Sequence, residues 1–122
     1  YQEVRKRGIR NVIGGDYGFA VTPMGMNARD IRHFVEYFGY SPADALRSAT
    51  IVGQALMGMA DDLGTVAAGK LADLLLVKGD PTADVSILQH RENLAMIMKD
   101  GVLYKDLRKA APAAADHLVA AQ

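Results

Sequence analysis

The chain has 122 residues, of which half are hydrophobic and 23% are charged, a composition typical of one folded domain and not of a disordered chain. Fourteen basic and fourteen acidic residues give a formal net charge of zero, which argues against nucleic acid or an anionic membrane as a partner. The sequence has no cysteine, so disulfides and thiolate metal sites are excluded, and no apolar run reaches the roughly 20 residues of a membrane span.

The N-terminal residues follow an α/β pattern. Residues 1–7 predict the last turns of a helix, and residues 9–13 predict a strand because most of them are apolar and β-branched. Two glycines end this strand and Asp16 follows at once. The order indicates an α/β protein near a site at the carboxyl end of a strand. Because the chain opens without Met and inside a pattern, we expect it to be a piece of a longer protein or a processed product.

Two helices are predicted after a loop at 17–26. Asn27 is expected to cap the first, whose apolar stripe consists of Ile31, Phe34, Val35 and Phe38. The second is expected to begin at Ser41, with Pro42 in its first turn, and to end at Gly58. Its predicted buried side consists of Ala45, Leu46, Ala49, Leu56 and Met57.

From Leu63 onward the pattern is one of strands and turns. Asp100-Gly101 is the strongest local signal, because this dipeptide favours a two-residue hairpin turn. The Ala-rich residues 105–122 predict a surface helix or a frayed tail. The other expected elements are strands at 64–66, 71–77, 94–99 and 102–104, turns at 67–70 and 79–81, and one helical turn at 84–88.

Asp16 is the main candidate for chemistry. Two preceding glycines let the backbone turn sharply, and a carboxylate at the end of a strand is well placed to bind a metal ion or accept a proton. The alternative, favoured by spacing alone, is a turn aspartate that hydrogen-bonds its own loop.

The three histidines do not form a metal set. His33, His90 and His117 lack the spacing of ligand pairs on a strand or a helix, and each is predicted to lie at the surface. In particular, His33 is expected to point to solvent from the face opposite the apolar stripe. Asp73 sits in an apolar strand, where we expect a structural role.

Several segments in a fixed order resemble the amidohydrolase superfamily, in particular its imidazolonepropionase-like and Xaa-Pro dipeptidase-like metal-dependent hydrolases. The match covers about residues 1–105. The segments that carry it are Gly-Gly-Asp at 14–16, Ser-Pro-Ala-Asp-Ala-Leu-Arg-Ser-Ala-Thr at 41–50, Leu-Gly-Thr-Val-Ala-Ala-Gly-Lys-Leu-Ala-Asp-Leu at 63–74, Gly-Asp-Pro at 79–81 and Lys-Asp-Gly at 99–101.

The resemblance implies an α/β fold that is the last βα unit of a (β/α)8 barrel plus the C-terminal strands of a small β-sandwich. Residues 1–60 would be the end of the barrel, residues 61–105 the sandwich strands and residues 106–122 a tail. Asp16 would follow the eighth strand as a catalytic residue and metal ligand, accepting the proton of a metal-bound hydroxide. The implied cofactor is a divalent metal, zinc being favoured.

The family's His-x-His, its bridging lysine and two further histidines have no counterpart in this sequence. We expect them upstream, and we expect this chain alone to be inactive and to bind no metal tightly, since catalytic zinc sites use about three protein ligands. The expected partners are a small amide or dipeptide-like substrate and the missing N-terminal half, and a homo-oligomer is the further alternative. The location is open, with a soluble cytoplasmic protein slightly favoured. Two other hypotheses stay open, a non-catalytic interaction or assembly module and a truncated product without function.

Overall fold

The computed structural model describes residues 2–110, which adopt an α/β fold with a helical part followed by a three-stranded antiparallel sheet. Within this part of the chain, no helix is long and apolar enough to cross a bilayer. The helices and strands are α1 (Gln2–Lys6), α2 (Arg29–Glu36), α3 (Pro42–Arg47), α4 (Gly53–Leu56), β1 (Leu74–Val77), β2 (Leu94–Lys99) and β3 (Val102–Asp106).

The core of the helical part forms on the predicted stripe of α2. Phe34, Tyr40 and Ala45 are buried together, and the Phe34 and Tyr40 rings lie 5.0 Å apart between centroids. The remaining stripe residues and one residue of the preceding segment pack around this cluster, namely Ile13, Ile31, Val35 and Phe38. The stripe prediction is confirmed, since side chains spaced three and four residues apart share one face of a helix.

The predicted cap of α2 was wrong. The helix begins at Arg29 with Ala28 at the N-cap, and no side chain caps it. The backbone N–H of Asp30 donates instead to the backbone carbonyl of Asn27 at 3.2 Å. The turn before the helix therefore already satisfies a donor that a side-chain cap would otherwise serve.

The second helix begins as predicted but buries less than predicted. The Ser41 hydroxyl accepts the backbone N–H of Asp44 at 3.1 Å, which is N-cap geometry. A π-helical segment, Ser48–Val52, joins α3 to α4. Ala45 is fully buried, as predicted. Three of the residues predicted to be buried further along are exposed, because no described element covers that side of the helix. They are Ala49, Leu56 and Met57.

Two predicted strands are absent from the described residues. Residues 9–13 are unpaired, because none of the three strands lies alongside them to complete a hydrogen-bond ladder. Residues 64–66 continue a loop instead, which the N–H of Leu71 closes by donating to the carbonyl of Asp62 at 2.8 Å. Gly64 begins this stretch with a φ of 91°, a conformation suited to a loop.

The sheet confirms the predicted hairpin. β2 lies between β1 and β3, and both pairings are antiparallel. Asp100 and Gly101 both have positive φ, at 48° and 75°, as the hairpin turn requires. The strand predicted at 71–77 begins at Leu74, and the helical turn predicted at 84–88 is the 3-10 segment Val85–Gln89. Most of the predicted tail, residues 111–122, lies outside the described residues.

Candidate functional site

Asp16 lies in the loop that links the unpaired segment 9–13 to α2. Its side chain is exposed, and within residues 2–110 it forms no hydrogen bond or ion pair. A turn aspartate would have used its carboxylate on neighbouring backbone groups, and Asp16 does not. Its carboxylate is therefore available to bind a ligand.

The backbone before Asp16 is in close contact with two side chains. A Cβ atom placed on Gly15 would lie 2.0 Å from Cε2 of Tyr17 and 2.4 Å from Oδ2 of Asp30. On Gly14, by contrast, the added atom would meet nothing within 4 Å. Only glycine fits at position 15, because the Tyr17 ring folds back over it and Asp30 reaches it from α2.

The hydroxyl of Tyr17 links the Asp16 loop to α2. Its oxygen lies 2.8 Å from Oδ1 of Asp30 and 3.2 Å from the carbonyl oxygen of Met26. A phenol has one proton to donate, and the shorter contact to a charged acceptor is the stronger bond. Burial, followed by this bond to Asp30, raises the pKa of the Tyr17 phenol above its ordinary value. Tyr17 therefore stays protonated, and a donor, at neutral pH.

Asp30 and His33 lie together in the first turns of α2. The Asp30 side chain is 19% exposed, and its Oδ1 lies 3.6 Å from Nδ1 of His33. The prediction that His33 points to solvent was wrong, since its side chain is only 33% exposed and packs beside Asp30 and Tyr37. His90 is exposed as predicted, near Glu92. His117 lies outside the described residues.

An open cavity of about 280 Å³ adjoins the two glycines. Asp16 is not among the residues that line it. Its walls come from the segment before Asp16 and from α2, and they consist of Asn11, Val12, Gly14, Gly15, Asp30, His33, Phe34 and Phe38.

The loop after Asp16 presents apolar side chains to solvent. The Gly18 N–H donates to the carbonyl of Thr22 at 2.8 Å, which folds the loop into a tight turn. At its far side, Nη2 of Arg29 donates to the carbonyl of Val21 at 3.5 Å. The exposed apolar residues of this loop are Phe19, Val21, Met24 and Met26.

The described residues do not fit a complete metal site. Within residues 2–110, no group of three or more histidine or acidic side chains is placed to hold a metal ion. Catalytic zinc sites use about three protein ligands, so the carboxylate of Asp16 alone supplies at most a share of such a site.

The family model that matches this chain is the Amidohydrolase family, over residues 2–104. The chain belongs to the amidohydrolase family. Among solved amidohydrolase-like structures, a Xaa-Pro dipeptidase with methionine bound in its active site is 35% identical, with a TM-score of 0.75 over 85% of this chain. A provisionally assigned prolidase from Bifidobacterium longum is 30% identical, with a TM-score of 0.78 over 84% of this chain. Each match covers 24% of the solved chain.

The ochratoxinase of Aspergillus niger is a further similar protein. It is 27% identical over 106 residues, which are 86% of this chain and 21% of the relative. Its crystal structure is similar with a TM-score of 0.73. This amidohydrolase chain therefore spans about a fifth to a quarter of the length of the relatives that it matches.

The sequence patterns missed the contacts of Tyr17 and Asp30. Neither residue belongs to the apolar stripe of α2 or to the segments that carry the family resemblance. The glycine pair was the available signal, because a glycine without positive φ often marks a close approach of side chains.

Proposed function

We propose that this chain is the C-terminal part of a metal-dependent amidohydrolase that cleaves an amide or peptide-like C–N bond. Membership of the family supports the reaction class. The observation that carries the proposal is the free, exposed carboxylate of Asp16, directly after a glycine that its neighbours hold in place.

In this proposal, residues 1–60 are the last βα unit of a (β/α)8 barrel. The unpaired segment 9–13 would be the eighth strand, whose neighbours come from the rest of the protein. Residues 61–105 would supply strands of a small β-sandwich. A complete barrel takes about 250 residues, far more than this chain provides.

The role proposed for Asp16 is proton transfer. Its carboxylate accepts a proton from the water that attacks the carbonyl carbon, and gives that proton to the leaving nitrogen as the C–N bond breaks. It also serves as one metal ligand. The divalent metal, for which we propose zinc, needs further ligands from another part of the protein, so this chain alone is proposed to be inactive and to bind no metal tightly.

The experiment is a substitution of Asp16 in the complete protein. Asp16→Asn keeps the shape of the side chain but loses the basic oxygen, and we expect kcat/KM to fall by about 10² to 10⁴, the usual range for a lost acid–base group. Asp61→Asn is the matched control, since Asp61 is also exposed and without a partner in the described chain. Parental activity in Asp16→Asn would sink the proposal.

The substrate that we propose is a small amide or dipeptide-like molecule with an apolar part. The relatives support this class, since they include a Xaa-Pro dipeptidase and an ochratoxinase. Met24 and Met26 lie in the exposed loop after Asp16, where they are proposed to contact that apolar part. We also propose that the protein is soluble and cytoplasmic. Cell fractionation tests this localisation.

A second candidate is a non-catalytic assembly module. It is favoured by the exposed apolar residues of the edge strands, such as Leu75 at 59% and Val102 at 59% exposure. In the main proposal the N-terminal half of the protein covers these residues. Co-expression of the two halves separates the candidates, because a complex without hydrolase activity favours the module and an active complex favours the enzyme.

A further inference from the structure

We propose that Tyr17 and Asp30 form a clamp that positions Asp16 for proton transfer, an inference that rests on the proposed function. Neither side chain is proposed to touch the substrate. Both are positioning residues, which act by fixing the backbone on each side of Asp16.

The backbone at Gly15 is closely packed by side chains on both sides of it. The Tyr17 ring lies where a Cβ of residue 15 would stand, and the Asp30 carboxylate lies almost as close. The residues before and after Asp16 are therefore packed against each other and against α2. This packing leaves Asp16 little backbone freedom, so its carboxylate position depends mainly on its own side-chain torsions.

A hydrogen bond holds the Tyr17 ring in this position over Gly15. The Tyr17 hydroxyl donates to Oδ1 of Asp30 at 2.8 Å, and Asp30 is four-fifths buried in the first turn of α2. The Asp30 carboxylate also lies near the start of the helix, where a negative charge is favoured. The bond runs from a loop to a regular helix whose buried face is part of the core.

The rest of the loop makes weaker side-chain contacts with α2 than Tyr17 does. Beyond Tyr17, the Arg29 side chain donates to the Val21 carbonyl at 3.5 Å, and the Met26 carbonyl accepts the Arg29 N–H at 2.9 Å where the chain enters α2. The side chains of Phe19, Val21 and Met24 are exposed. The strongest side-chain contact between the loop and α2 is therefore beside Asp16, where an accurate position matters for proton transfer.

The main experiment measures kcat and KM for three variants of the complete protein. Asp30→Ala and Tyr17→Phe each break the clamp bond, and we expect kcat to fall about 10- to 100-fold with KM changed less than about threefold, because misplacing a catalytic group by about 1 Å has effects of this size. Asp30→Asn keeps an oxygen that accepts the phenol proton, and we expect it to restore kcat to within about threefold of the parent.

Glu36→Ala is the matched control on the same helix. Glu36 is the last residue of α2, at the opposite end from Asp30, and its substitution removes the ion-pair partner of Arg32. We therefore expect kcat to stay at the parental value. If Asp30→Ala fails to fold, the Tyr17→Phe and Asp30→Asn pair decides the question. Parental kcat in Tyr17→Phe overturns the clamp, as does an Asp30→Asn variant no more active than Asp30→Ala.

These outcomes are distinguishable from failure of the proposed function. If Asp16→Asn is inactive while Tyr17→Phe has parental kcat, the clamp alone is wrong. If Asp16→Asn has parental activity, the function of Asp16 is wrong, whatever the clamp variants do.

A second measurement reports the clamp bond without activity. The protein is labelled with fluorotyrosine, and the Tyr17 fluorine signal is assigned by its loss in Tyr17→Phe. Asp30→Ala removes the acceptor of the phenol and should shift this signal at constant pH, whereas Glu36→Ala should not. An unchanged Tyr17 signal in Asp30→Ala overturns the clamp.

Discussion

Asp73 shows how one carboxylate directly before an apolar strand can have a purely structural role. Its Oδ1 accepts the backbone N–H of Asp100 at 2.7 Å, and its Oδ2 lies 3.6 Å from Nζ of Lys99. The neighbouring Ala72 carbonyl accepts the N–H of Gly101 at 3.2 Å. The segment before β1 therefore holds the turn of the hairpin, in agreement with the structural role that the sequence predicted.

Asp73→Ala should loosen the hairpin turn. It leaves the Asp100 N–H without its acceptor, and because the site is partly exposed we expect a cost of about 1 kcal/mol. Hydrogen exchange is the measurement, with faster exchange of the amides of Asp100 and Gly101. Asp73→Asn is the control, since its amide oxygen still accepts the bond, and equal exchange in both variants would contradict the assignment.

Gly15→Ala and Gly14→Ala form a pair in which only the first should destabilise the protein. The added methyl at position 15 overlaps the Tyr17 ring and the Asp30 carboxylate, whereas at position 14 it meets open space. We expect Gly15→Ala to lower the free energy of unfolding by about 1–3 kcal/mol, the usual range for overpacking. Urea denaturation of both variants is the test, and equal midpoints would show that the ring moves aside freely.

At the scale of elements, the helices and the hairpin follow from local chemistry. The start of α3 needs only a serine, a proline and an acidic residue within four positions. The turn of β2 and β3 needs two residues that tolerate positive φ. Such elements are predictable because the atoms that decide them are close in sequence.

Ser41→Ala should weaken the start of α3. It removes the acceptor of the Asp44 N–H, and loss of an N-cap side chain costs about 1 kcal/mol. The Arg5 ion pair with Asp44 is partly exposed and is not expected to offset the loss. Thermal unfolding of Ser41→Ala beside Ser41→Asn, which can still cap the helix, is the measurement, and a midpoint shared by the two variants would contradict the capping role.

The 3-10 turn Val85–Gln89 should make stability depend on pH in the acid range. Hydrogen bonds from the side chain and the backbone N–H of Ser86 lower the pKa of Asp84 below its ordinary value. The stabilisation is complete above the unfolded-state pKa, near pH 4, and is lost as pH falls through the lower folded-state pKa. Urea denaturation between about pH 6 and pH 2 should therefore show a smaller loss of stability on acidification in Asp84→Asn than in the parent.

At the scale of the whole molecule, many large apolar side chains are exposed. The edge strands and α4 expose several of them, among them Leu56 at 71% and Tyr104 at 70%. Where such side chains adjoin one another, they usually mark an interface. This exposure agrees with a chain that spans about a fifth of the length of the relatives that it matches.

The isolated 122-residue chain should therefore associate in solution. We expect sedimentation to give a mass above the 13.1 kDa of one chain, rising with concentration. We expect co-expression with the proposed N-terminal part of the protein to abolish this association. A monodisperse species of 13.1 kDa with cooperative unfolding would contradict the prediction.

The sequence by itself determined the family, the apolar stripe of α2, the cap of α3 and the hairpin turn, because each depends on residues within a few positions or on motifs in a fixed order. The tertiary structure alone decided that residues 9–13 stay unpaired and that His33 packs beside Asp30. It also decided that Tyr17 and Asp30 meet over Gly15. These contacts join parts of the chain that periodicity treats separately, and whether they form depends on which surfaces are present to pack.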